Sequence, residues 1–142
     1  MGRFLNCGTW CYRMKSGATV RVFKSRWFQR FARKEGIVDA VLREAVARAE
    51  MGQIDANLGG EVIKQRIARP GQGRSRGYRT IILFRRGAKA FFVYGFAKSQ
   101  RANINDDEKE QFKEAAKHVL GLTETQLAEL LQRGDFVEAK SE

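Results

Sequence analysis

The sequence predicts an α+β protein with an N-terminal strand, a helical hairpin, an antiparallel sheet of about four strands and C-terminal helices. Three observations predict it. Apolar residues between Ile37 and Ala49 recur at the helical spacing, three strand-like stretches follow between 61 and 97, and two capping signatures open helical segments beyond residue 104. The 142 residues suit one domain at about 100–200 residues per domain, and 43% hydrophobic with 30% charged residues argues against wholesale disorder.

Residues 1–19 read as a leader outside the domain, which spans 20–121; a last helix and frayed tail occupy 122–142. The leader lacks the ~7–15-residue apolar core of a secretory signal. No run approaches the ~18 apolar residues of a membrane span, so a cytoplasmic protein without membrane contact is expected. Met14 suggests that translation begins there, which would make residues 1–13 an over-called extension. Cys7 and Cys11 lie in the leader with no further Cys and a single His in the chain, so no zinc site is expected.

Thr19-Val20-Arg21-Val22-Phe23 is β-branched and alternating, which predicts a strand over 20–24. Ser25 then caps a helix from Arg26 to Glu35 whose Trp27, Phe28 and Phe31 make one apolar face, and Gly36 stops it. The next helix carries Ile37, Val38, Val41, Leu42, Ala45, Val46 and Ala49 on one side and ends at Gly52. Strands are predicted over 61–68, 78–84 and 90–97, the last two joined by the turn Arg86-Gly87-Ala88-Lys89. Alternation puts Lys64 and Arg66 on the same face of the first of these. Between the first two lies RPGQGRSRG, holding the only proline, which reads as a mobile basic loop. Asn105 with Glu108, and Thr123 with Gln126, read as capping boxes of the two final helices, stopped by Gly121 and Gly134. Residues 135–142 look frayed.

Lys and Arg number 27 against 16 Asp and Glu, a net charge of +11. Its distribution says more than its sum. Residues 61–101 hold eleven cations against Glu61 alone, whereas 102–142 is net −5. Such asymmetry points to a localised surface for a polyanion.

The ordered set GGEVIKQRIARPGQGRSRGYRTIILFRRGAKAFFVYGFAKSQRANI, preceded by the helical hairpin, resembles the RelE/ParE superfamily of bacterial toxins. The GYRTI and GFAKSQRANI segments are most similar to its HigB-like branch. The resemblance covers about residues 20–120. It implies a RelE-like fold, and a toxin of a type II toxin–antitoxin system that cleaves mRNA on the ribosome without a metal and so inhibits translation. It also implies a cognate antitoxin, usually a helix-turn-helix DNA-binding protein. The alternative is a non-catalytic ParE-type gyrase inhibitor or a plain RNA-binding module; a degenerate homologue keeping only antitoxin binding is a third.

Cleavage by the ribose 2′-hydroxyl needs a proton acceptor, cations for the phosphorane and an acid for the leaving oxygen. His118, the only histidine, falls near the end of a predicted helix and reads as a surface residue, which excludes a two-histidine nuclease. The sheet region offers no acidic cluster beyond Glu61, so a two-metal mechanism and any metal cofactor are not expected. A cationic site remains. The resemblance matches Lys64 and Arg66 to paired basic strand positions, Arg79 to the arginine after Gly-Tyr, and Lys98 to the lysine before a late arginine whose charge Arg101 supplies. Lys64 or Lys98 would then transfer the proton, with Arg66, Arg79 and Arg101 stabilising the phosphorane. Where RelE-type members carry a functional tyrosine near the chain end, this chain has Asn103-Ile104-Asn105. Tyr78 and Tyr94 are the candidates to replace it by stacking on a base or relaying a proton, although a tyrosine on a strand is more often a core residue. Arg69, Arg74 and Arg76 are expected to contact the RNA backbone, while Arg85, Arg86 and Lys89 belong to the far hairpin turn.

Overall fold

The structure, a computed structural model, describes residues 20–69 and 73–140; the leader lies outside them. Strand β1 (Arg21–Ser25) runs directly into helix α1 (Arg26–Glu35), followed by α2 (Asp39–Glu50), β2 (Ala56–Gly59), β3 (Val62–Arg69), β4 (Gly73–Arg85), β5 (Lys89–Ala97), α3 (Asp106–Leu120), α4 (Glu124–Arg133) and β6 (Phe136–Glu138). The chain is α+β, as expected. Its sheet has six strands rather than about four, in the order β2-β3-β4-β5-β1-β6. All neighbours are antiparallel except β1 and β5, which are parallel.

The caps act where the residue types place them. Ser25 accepts from the Phe28 amide at the start of α1, and Gly36 ends it at a φ of 74° that disfavours a side chain. Both capping boxes, Asn105/Glu108 and Thr123/Gln126, are fully formed.

Three differences from the sequence reading concern strands. β2 is built from Ala-Asn-Leu-Gly, whose propensity is poor; it exists because β3 pairs with it, Ala56 opposite Lys64. β6 lies in the stretch expected to fray, and is held by Phe23, Lys24 and Ser25 of β1 opposite Glu138, Val137 and Phe136. The basic loop is a correction too. Strand pairing continues to Arg69 opposite Gly73, so Arg69, Arg74 and Arg76 lie on the ends of long β3 and β4; only 70–72 fall outside the described residues. Unpaired backbone groups are costly where a partner strand is at hand, and this outweighs the turn preference of the glycines.

The sheet is covered on both faces. On one, α1 and α2 bury Phe28, Leu42, Ala45 and Val46 against Val22, Ile63, Ile67, Ile82 and Phe92. On the other, α3 and α4 place Ala116, Leu120 and Leu127 over Phe23, Val62, Ile81, Leu83 and Phe91. A bulge in β5 decides which residues join the second face. Ile82 is opposite Phe92 but Ile81 is opposite Tyr94, so Val93 is the extra residue. Without it, alternation would put Tyr94 and Phe96 beside Phe92 under α1. With it, they face the same side as Ile81 and Arg79. Gly95 is thereby left under α1, where a Cβ would come within 2.7 Å of the Phe31 ring.

Candidate active site

α3 covers the second face over Val62, Leu83 and Phe91 and leaves a cationic patch where β3 and β4 run on towards Arg69 and Gly73. Lys64 and Arg66 project from that face of β3, and Arg79 sits on β4 directly opposite Arg66. Two like charges paired across strands repel, so a carboxylate is needed. Asp55 supplies it. Placed just before β2, with its amide donating to the Lys64 carbonyl, it accepts from Arg66 Nε at 3.0 Å and lies 3.6 Å from Arg79 Nε and 3.7 Å from Lys64 Nζ. Its side chain is only 14% exposed.

One carboxylate among three cations leaves a local excess of two positive charges. Arg79 is the most enclosed of them, with 6% of its side chain exposed, and its Nη1 has no hydrogen-bond partner among the described residues. A buried donor left unmade is costly. Beside the cluster, a cavity of about 340 Å³ is lined by Arg48, Gln53, Ile54, Asp55, Gln65 and Arg66. Arg48 is held there by Glu44 and by the Arg66 carbonyl.

The remaining expected residues are placed unevenly. Arg101 is nearby but committed: its guanidinium donates to both Glu108 oxygens at 2.6 and 3.0 Å, to the Tyr94 hydroxyl at 3.0 Å and to the Asn103 carbonyl. Glu108, and after it the Tyr94 hydroxyl, raise the Arg101 pKa above its ordinary value, and Arg101 with the Asn105 amide holds Glu108 below the usual carboxylate range. Arg101 thus ties the post-β5 turn to the start of α3 and lies over the Tyr94 and Phe96 rings. Asn103, in the region replacing the late tyrosine, carries an amide oxygen 3.5 Å from Lys64 Nζ. Lys98 is exposed in the turn that follows β5.

Tyr78 is a correction. It is 2% exposed, faces α1 rather than the cations, packs edge-on against Phe31 and donates its hydroxyl to Glu35 at 2.7 Å. It is a core residue, unable to stack on a base. Tyr94 does sit at the site, half-buried between Trp27 and Phe112. The side chains of Arg69, Arg74 and Arg76 lie outside the described residues, although their strands extend from the cluster. His118 is exposed in the last turn of α3.

Asp55 and Arg48 are not among the site residues the sequence predicts, and Trp27 reads there only as part of the apolar face of α1. Asp55 lies nine residues before Lys64 in a stretch with no strand pattern; its only signal was that it and Glu61 are the two acids between Glu50 and a run of cations. Among the described residues no three His, Cys, Asp or Glu side chains converge as metal ligands, and no helix is long and apolar enough to cross a membrane.

The fold and site define a small α+β protein with a cluster of three cations around one carboxylate at one end of its sheet. The model of the family described as RelE toxin of the RelE/RelB toxin–antitoxin system matches residues 20–139, and the chain belongs to that family. No curated protein and no solved structure matches it.

Proposed function

We propose that this chain is the toxin of a type II toxin–antitoxin pair, of the HigB-like branch, acting in the cytoplasm as a metal-independent endoribonuclease on mRNA at the ribosome. The observation that carries this reading is the convergence of Lys64, Arg66 and Arg79 on Asp55, with Arg79 Nη1 lacking a partner among the described residues. Three cations around one enclosed carboxylate suit a phosphate that becomes more negative as the reaction proceeds.

In the proposed reaction the ribose 2′-oxygen attacks the adjacent phosphorus. Its proton passes to the Asp55 carboxylate, which accepts without first losing a proton, as Lys64 or Lys98 would have to. The bond to the 5′-oxygen breaks, and that oxygen takes a proton from the Lys64 ammonium. The products are a 2′,3′-cyclic phosphate and a 5′-hydroxyl. Arg66 and Arg79 hold the phosphorane oxygens, and Lys98 contacts a neighbouring phosphate. Arg101 positions Tyr94 and the Asn103 segment. A helix-turn-helix antitoxin with an acidic or amphipathic segment over this end would neutralise the cations and exclude RNA together.

The test is induced expression of wild type and Arg79→Ala in bacteria, followed by growth and by primer extension on abundant messages, with a thermal melt to confirm folding. Wild type arrests growth and cuts messages; Arg79→Ala does neither. Equal toxicity of the variant, or inhibition of gyrase supercoiling with reporter translation untouched, overturns the reading in favour of a ParE-type inhibitor.

A further inference from the structure

Three exposed cations of α1, Arg30, Arg33 and Lys34, have no side-chain partner among the described residues, and neither does Lys98 in the turn after β5. Trp27, Arg30, Phe31 and Lys34 follow at helical spacing, share one face and line a cavity of about 270 Å³. Trp27 is 42% exposed, and it is held in place by the Phe31 ring at 5.4 Å and the Tyr94 ring at 4.7 Å. The single acid of α1, Glu35, is engaged by Tyr78. An exposed, fixed aromatic flanked by unpaired cations with no opposing acid complements a strand of bases and phosphates.

This face is continuous with the candidate active site. Trp27 touches Tyr94, Tyr94 accepts from Arg101, Arg101 donates to the Asn103 carbonyl, and the Asn103 side chain lies within 3.5 Å of Lys64. We propose that the Trp27–Arg30–Phe31–Lys34 face is a subsite for single-stranded RNA. It packs one unpaired base, next to the nucleotides at the cationic cluster, against Trp27, and holds the flanking phosphates on Arg30 and Lys34. The inference rests on the RNA reading of the cluster. Duplex RNA is a poor occupant because its bases are stacked on one another.

The chain has two tryptophans, so Trp10→Phe leaves Trp27 as the sole reporter. This protein is titrated with a short, uncleavable 2′-O-methyl RNA oligonucleotide carrying an end label, reading anisotropy and tryptophan emission together. Emission is expected to fall in step with anisotropy, and a duplex of the same sequence to leave it unchanged. Trp27→Leu should weaken single-strand binding by about 5–100-fold, as for one lost stacked base. Arg30→Glu with Lys34→Glu, both on the surface, should weaken it about tenfold or more and flatten its salt dependence. Binding without quenching, quenching by duplex to the same extent, affinity unchanged in both variants, or no binding at all overturns the subsite. Failure of the nuclease reading is distinguishable, because it shows as unaltered messages in cells expressing the wild type.

Discussion

The two ends of the β3–β4–β5 sheet carry similar numbers of cations and use them differently. At the β4–β5 turn, Arg85 is bound by both Glu61 oxygens and donates to the Leu120 carbonyl, Arg86 donates to the Glu50 carbonyl, and Lys89 meets Glu124. Arg85 and Arg86 each have their own acceptor and Lys89 shares Glu124 with Arg21, which is also bound by Glu138, so the charge at that end is largely compensated. At the opposite end, Lys64, Arg66 and Arg79 share Asp55. Residue counts cannot distinguish the two, because an anion responds to charge left uncompensated after the fold has made its own pairs.

The sharpest way to break this comparison is Arg79→Ala. Removing the most enclosed cation should cost about 10²–10³-fold in RNA cleavage, the usual loss when a donor to a developing oxyanion is deleted, measured on a labelled message in a translation extract. Asp55→Asn comes next. It should cut cleavage by about 10²-fold, as for removal of a general base, while tightening binding of uncleavable single-stranded RNA, since one negative charge leaves the cluster. Parallel loss of binding and cleavage would instead make Asp55 a scaffold for the cations.

A smaller effect separates scaffold from site at Arg101. Arg101 and the Asn105 amide lower the Glu108 pKa from 4.5, so this pairing stabilises the fold above that value and is lost as pH falls through the depressed one. Thermal melts of Glu108→Gln should therefore lie below wild type at neutral pH and converge with it in acid. A constant offset across the acid range would refute the pairing. The smallest effect belongs to the compensated end: Lys89→Ala removes an ion pair whose Glu124 is 69% exposed. It should barely change the melting temperature and leave cleavage within about twofold. A large loss of cleavage there would erase the distinction between the ends.

Much of the fold was legible because its signals are local. Ser25, Asn105 and Thr123 cap the following turn through their own side chains, and α1 spans the residues expected of it. Lys64 and Arg66 share a face because strand alternation is a property of the backbone. Short β2 and β6 were not legible, since neither Ala-Asn-Leu-Gly nor Phe-Val-Glu is a strand without the edge that pairs it. Tyr78 was misread for a related reason. Its strand position was clear, but which side of the sheet α1 would cover was not.

By itself, then, the sequence determined the α+β class, the boundaries of α1, α3 and α4, the concentration of positive charge between 61 and 101 and the pairing of Lys64 with Arg66 on one face. Only the tertiary structure decided what those charges meet. It brought Asp55 to three cations that follow it by 9, 11 and 24 residues, and tied up Arg101 with Glu108 and Tyr94. By one extra residue at Val93 it turned Tyr94 and Phe96 toward Arg79. Caps and alternation act over a few residues, where the chain has few alternatives. Ion pairs and strand register depend on which distant segments pack together, and that is settled by burying both faces of the sheet at once.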